Sequence, residues 1–266
     1  MPTTASAREA YDAAADVYDD FTAHHDYDGW TALIERLARE HGLAGRRLLD
    51  VGCGTGKSFL PFLERGYDVV ACDVSPRMLR HARAKSRGRA RVLEADARDL
   101  PRLGAFDLVL ALDDVVNYLA AAELPGAFRG LADNLAPGGV LVFDTNTLLS
   151  YRTFFATLTV VQGEGEVLIW DGSTPVDLPA GGLARATLEM LRADGDGRWS
   201  RTYSHHVQRH HDASAMRAAL VAAGLDPAAM RGMHLDGSVS DDLDELVNTK
   251  AIFVARAPGR TSSSRP

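Results

Sequence analysis

The sequence predicts an α/β protein built on a doubly wound, mostly parallel seven-stranded sheet, with an antiparallel β-subdomain inserted after strand five. Three observations predict it. Between residues 46 and 144, short runs rich in Val, Leu and Phe alternate with segments of helical apolar spacing, and such alternation builds right-handed βαβ units on a parallel sheet. After Asp144 the pattern changes to period two between Gly-rich turns, which is the mark of antiparallel pairing. Finally, the chain has 266 residues, 46% of them hydrophobic, enough for one large α/β unit with a sizeable core and too apolar for default disorder.

Taken in order, the segment from Ser6 to His41 is rich in Ala, Tyr and Asp and reads as two helices, making residues 1–45 a lid outside the sheet. The strands are RRLLDV (46–51), DVVACDV (68–74), ARVLEAD (90–96), FDLVLAL (106–112) and GVLVFDT (139–145). Between them KSFLPFLERG, SPRMLRHARAKS and LPGAFRGLADNLAPGG read as crossover helices, with stop signals at Gly66 and at Pro137-Gly138-Gly139. TLTVVQGEGEVLIW, GGLARATLEMLRAD and RWSRTYSHHVQRHH predict about three antiparallel strands across residues 150–211. A helix follows over 212–225, capped by Asp212 and ended at Gly224. Strands near 229–235 and 250–256 return to the core, so residues 46–149 and 212–258 form one α/β body, and 259–266 a flexible tail.

Composition narrows the partners. Lys and Arg number 29 against 36 Asp and Glu, a net charge of −7, which argues against life on nucleic-acid phosphate and for a small-molecule partner. No stretch approaches the apolar length of a membrane span, and the first 30 residues contain no apolar signal region, so the expected location is the cytoplasm. Cys53 and Cys72 each end an apolar run and read as small core fillers.

The sharpest motif is Asp50-Val51-Gly52-Cys53-Gly54-Thr55-Gly56, set between the first strand and the helix after it. Glycines there let the backbone turn tightly and approach a ligand, with free N–H groups facing it. A dinucleotide fingerprint would put its third glycine at residue 57, where this chain has Lys57. Asp73 ends strand two and Asp96 ends strand three, and in a parallel sheet all these tips open on one edge. Asp73 suits a ribose and Asp96 an exocyclic amine, although either carboxylate could instead cap a helix, as could Ser75.

Together LDVGCGTG, ACDVSPRML, LEADARDLP, FDLVLALDDVVNYL and LAPGGVLVFD resemble the ordered motifs of class I S-adenosylmethionine-dependent methyltransferases, over residues 46–145. The resemblance implies S-adenosylmethionine as cofactor. It implies that Asp50, Gly52, Cys53, Gly54 and Gly56 form the turn along its methionine and ribose, and that Asp73 holds the ribose. Val74 and Met78 would flank the adenine, Asp96 with Ala97 would read its amino edge, and Leu112 would lie beneath the sulfonium. Tyr11 and Tyr18 are similar to lid aromatics of such families, with Tyr18 favoured.

Methyl transfer from a sulfonium needs donor and acceptor aligned in a dry pocket, and a base only where the acceptor must lose a proton. Asp113, Asp114 and Asn117 follow strand four, and Asp144 and Asn146 follow strand five. The D-x-x-N-Y-L run there, with Trp170, W-S-R at 199–201 and H-x-Q-R from His206, resembles antibiotic aminosugar N-methyltransferases. On HHVQRHH, His206, Gln208 and His210 share one face. His206 is the leading base candidate, His210 the second, with Asp113 a further catalytic candidate. Tyr27, Trp30, Tyr151 and Trp170 are candidate pocket walls beneath the inserted sheet, itself a surface on which a second copy could pair. No metal is assigned, because Thr145 separates the acid and amide after strand five. The expected function is methyl transfer to an oxygen or nitrogen of a small, secondary-metabolite acceptor. Its alternatives are a metal-assisted O-methyltransferase, an NAD-dependent oxidoreductase and a non-catalytic cofactor-binding protein.

Overall fold

The computed structural model describes residues 5–259; apart from Gly259, the expected tail lies outside the described residues. Its N-terminal segment folds as α1 (Ala5–Ala14), the single turn α2 (Tyr18–Phe21) and α3 (Tyr27–Glu40), three helices rather than two. The break before α3 comes at Asp26, whose carboxylate accepts the Gly29 N–H at 2.9 Å and starts a new helix there.

The alternating region gives β1 (Arg47–Val51), α4 (Leu60–Glu64), β2 (Asp68–Asp73), α5 (Pro76–Ser86), β3 (Ala90–Glu94), β4 (Phe106–Ala111), α6 (Leu124–Asp133) and β5 (Leu135–Asn146). Helix α4 is half the expected length. Pro61 lies in its first turn, where a missing N–H costs nothing, so the helix starts late and the glycine turn before it stays irregular.

Beyond β5 come α7 (Leu148–Arg152), β6 (Leu158–Gly163), β7 (Glu166–Gly172), β8 (Leu183–Ala193) and β9 (Trp199–Arg209). The last elements are α8 (Ala213–Ala222), β10 (Asp226–Met233), β11 (Val239–Ser240) and β12 (Lys250–Arg256). The main sheet runs β11-β10-β12-β5-β4-β1-β2-β3. Strands β1 to β5 pair in parallel, while β12 pairs antiparallel to both β5 and β10. The strand beyond the expected seven is the two-residue β11 at the edge.

Alternation along the strands buries both faces. Leu49, Val109, Phe143 and Phe253 pack under α6 and α8, while Leu48, Leu108, Val142 and Ile252 pack under α3, α4 and α5. Chain order reverses between β1 and β4, so the crevice outside their carboxyl ends is the topological switch point.

The inserted sheet has four strands, β6-β7-β8-β9, rather than three. TLTVVQGEGEVLIW contains its own hairpin. Gly163 pairs Glu166 around Glu164-Gly165, and Gly165 takes φ 75° to close the turn. The inner face of this sheet, with Trp170, Ala184, Ala186 and Leu188, packs on Tyr151, Phe155 and Ala14 and roofs the crevice. Among the described residues no helix is long and apolar enough to cross a membrane.

Candidate active site

The glycine turn is pinned from behind. Gly52 and Cys53 donate their N–H groups to the Cys72 carbonyl at 2.8 and 3.0 Å, folding the turn over the end of β2. Gly52 has φ 76°, and a Cβ there would meet a Val115 methyl at 2.3 Å. Gly54 has φ 53°, and the nearest atom to a Cβ would be a Tyr18 ring carbon at 3.9 Å. The space above Gly54 therefore opens into a cavity under Tyr18.

At the tip of β2 the Asp73 carboxylate accepts the Gly54 N–H and the Ser75 N–H, each at 2.8 Å. Burial pushes its pKa up to about 6. Each oxygen keeps a second lone pair for a ligand hydroxyl. Ser75 itself caps α5, accepting the Met78 N–H at 3.1 Å, which frees Asp73 from that duty. Asp96 also lines the cavity, but it caps the 3-10 turn Ala97–Asp99, and Arg98 pairs with it through both Nε, at 2.7 Å, and Nη2. A glycine floor, a buried carboxylate with spare lone pairs, and Val74, Ala97 and Leu112 as apolar wall fit an adenosyl group.

Several expected contacts are elsewhere. Gly56 faces away from the cavity, where a Cβ would meet the Phe59 ring at 2.9 Å, so its role is to let α4 pack. Met78 is wholly buried in the packing of α5 and does not reach the cavity wall. Asp50 lies behind the turn, accepting the Ser58 hydroxyl at 2.5 Å, with its pKa pushed by burial up to about 7. Cys53 and Tyr18 do line the cavity.

A second, wider cavity adjoins the first under the roof sheet, and the two share Tyr11, Tyr18, Tyr27, Asp113 and Tyr118. Trp30, Asn146, Trp170 and His206 line the wider one. Asn117 does not. Its amide donates to the Arg209 carbonyl at 2.9 Å and its oxygen accepts the Asn146 N–H at 2.9 Å, a tie between β5 and β9. Tyr151 is fully buried behind the wall, donating to Gln208 Oε1 at 3.0 Å.

Asp113 and Asp114, at the junction, both adopt left-handed backbone, φ 57° and 62°, a strained choice for two consecutive non-glycine residues. The buried Asp144 carboxylate holds them there, accepting the Asp113 N–H at 2.6 Å and the Asp114 N–H at 3.3 Å. Lys250 pairs with Asp144 at 2.5 Å. Burial disfavours the Lys250 charge, yet Asp144, Asp114 and Asp113 outweigh it and hold the ammonium above its ordinary range. Asp114 accepts the Asn146 amide at 2.7 Å and the Gln208 amide at 3.0 Å, and burial lifts its pKa to about 6. Asp144 thus spends both oxygens on this chain's own donors, whereas both bonds to Asp114 go to its Oδ2.

His206 is buried, and its ring nitrogens are both engaged. Tyr11 donates to the Tyr118 hydroxyl at 3.1 Å, Tyr118 lies 2.8 Å from His206 Nδ1, and Nε2 lies 3.0 Å from Ser204 Oγ. Burial lowers its pKa to about 4. Burial favours the uncharged imidazole, which accepts from Tyr118. His210 is outside both cavities, bonded by the Gly181 N–H at 3.1 Å and by Glu245. Tyr118 is the junction residue that sequence reasoning passed over, although it sits inside the DDVVNYL run.

The N-terminal helices close the cofactor cavity by polar ties. Asp12 accepts the Ser75 hydroxyl at 2.5 Å, Asp16 pairs with Arg77 at 2.5 Å and His81 at 2.8 Å, and Asp19 pairs with Lys85 at 2.5 Å.

The family model described as a methyltransferase domain matches residues 48–139. A dTDP-3-amino-3,4,6-trideoxy-alpha-D-glucopyranose N,N-dimethyltransferase from Streptomyces venezuelae is 31% identical over 82% of this chain and 92% of its own length. The sugar N-methyltransferase KedS8 from Streptoalloteichus sp ATCC 53650 superposes with TM-score 0.71 at 29% identity, over 91% of this chain and 93% of that one. The S-adenosylmethionine-bound amino pentose methyltransferase CalS10 from Micromonospora echinaspora does so with TM-score 0.68 at 25% identity, over 90% and 96%. On this fold, this glycine turn and these relatives, the chain belongs to the class I S-adenosylmethionine-dependent methyltransferases.

Proposed function

We propose that this enzyme methylates a nitrogen of a small-molecule acceptor, an amine on a secondary metabolite. The observation that carries this reading is the Asp113–Asp114 turn, which sets the Asp113 carboxylate where the cofactor cavity meets the wider one and Asp114 on the wall of the wider one. A cleft of that sign draws in an ammonium and repels a phenolate or carboxylate acceptor. His206, with its pKa lowered to about 4, offers no base for ionising a hydroxyl. The relatives named as N-methyltransferases support the same choice.

In this reading Asp73 takes the ribose hydroxyls, Val74 and Ala97 flank the adenine, and Tyr11 and Tyr18 cover the site. Bound S-adenosylmethionine supplies an activated methyl group. The chain's task is to present a nitrogen lone pair in line with it, about 3 Å away and shielded from water. The Asp113 carboxylate attracts and orients the ammonium, and desolvation under the roof sheet eases loss of its proton to water. Tyr118, held by Tyr11 and His206, orients the freed amine. Asp113→Asn is expected to lower kcat/KM on an amine acceptor by at least about tenfold while cofactor affinity stays within about twofold. Methylation of phenols but not amines by the wild-type enzyme would overturn the reading.

A further inference from the structure

We infer that the acceptor enters this enzyme without a phosphate, as an ammonium on an apolar frame rather than an amine linked to a nucleotide diphosphate. The inference rests on the nitrogen reading above and narrows it.

Charge is the first observation. The half-buried floor of the wider cavity carries Asp113 and Asp114, and its exposed rim carries Asp26, Asp236 and Asp20, the last paired with Arg192 at 2.5 Å. Among the described residues that line it, the Lys and Arg side chains are Lys250 and Arg36. Lys250 is 15% exposed and committed to Asp144 at 2.5 Å. Arg36 is 66% exposed, 3.9 Å from Glu40. A diphosphate is gripped by Arg forks, by Lys, or by free N–H groups at a helix start. Helix α3 starts on this rim, but Asp26 caps it, its carboxylate accepting the Gly29 N–H at 2.9 Å. A carboxylate already fills the place a phosphate oxygen would take.

Shape is the second. Phe21, Trp170 and Phe154 form a continuous stack, with centroids 5.8 and 4.6 Å apart and planes within 15° and 14° of parallel. With Phe155, Leu168 and Leu188 they give the cavity an apolar wall beside its carboxylates. That pairing complements a cation carried on a hydrophobic body.

Calorimetric titration of the wild-type enzyme saturated with S-adenosylhomocysteine tests this. Three probes are compared: the benzyl glycoside of an aminohexose, its uncharged N-acetyl form, and the same aminohexose linked to thymidine diphosphate. The benzyl glycoside is expected to bind at least about tenfold more tightly than the diphosphate-linked sugar, with the gap narrowing as added salt screens the repulsion. Equal or tighter binding of the diphosphate-linked sugar overturns the inference and leaves the nitrogen reading standing. Absence of binding by the benzyl glycoside also overturns it. If the N-acetyl form binds as tightly as the ammonium, the nitrogen reading itself fails and takes this inference with it.

Discussion

Asp73 shows how far a single residue can be read from sequence. Its place at the tip of β2 follows from strand order, and the glycine turn facing it follows from the backbone freedom of Gly52 and Gly54. Asp73→Ala is expected to weaken S-adenosylhomocysteine binding by at least about tenfold through lost charge-assisted bonds, and an unchanged affinity by calorimetry would refute its role. The binding form is the carboxylate, and burial has raised its pKa to about 6. Affinity is therefore expected to fall as pH drops through about 6, and Asp73→Asn to flatten that dependence. His206 shows the opposite. The period-two pattern placed it on the inner face with Gln208, but no pattern reveals how far burial lowers its proton affinity. His206→Phe is expected to lower turnover while leaving the rate profile around neutral pH unaltered in shape, because the imidazole already titrates near 4. Loss of an ionisation near pH 7 in that variant would restore it as a base.

Within elements, the decisive unit is the turn after β4. DDVVNYL was visible as a run of polar residues at a strand tip, but its left-handed backbone depends on Asp144 and Lys250, the latter 106 residues away from Asp144 along the chain. Cross-strand register explains the pair. Ile252 stands opposite Asp144, so Lys250, two residues along β12, projects from the same face as its diagonal neighbour. Lys250→Met would leave a buried carboxylate unpaired and is expected to destabilise the fold by about 3–5 kcal/mol in urea titrations. Adding Asp144→Asn should recover most of that loss. If the single variant is as stable as the wild type, the pair does not hold the turn. The same limit explains the missed hairpin between β6 and β7: one continuous period-two run hides a two-residue reversal unless the Glu164-Gly165 step is read as a turn.

For the whole molecule, the parallel sheet was legible because each crossover carries its own punctuation, from the capping Ser75 to the glycine turn. The crevice was legible too, since strand order alone sets the switch point. What the sequence could not show is the junction of two cavities, because it is assembled from Tyr11 on α1, Asp113 and Tyr118 in the turn after β4, and His206 on β9, with Tyr118 and His206 88 residues apart. Roof, lid and core meet only in three dimensions, and there the carboxylates face both cofactor and acceptor space. A crystal structure with S-adenosylhomocysteine bound examines that arrangement most directly. The ribose should rest on Asp73, the adenine between Val74 and Ala97, and the sulfur should face Asp113 and Tyr118 across the junction. Adenosine density anywhere else, or a sulfur turned away from the wider cavity, would contradict the account.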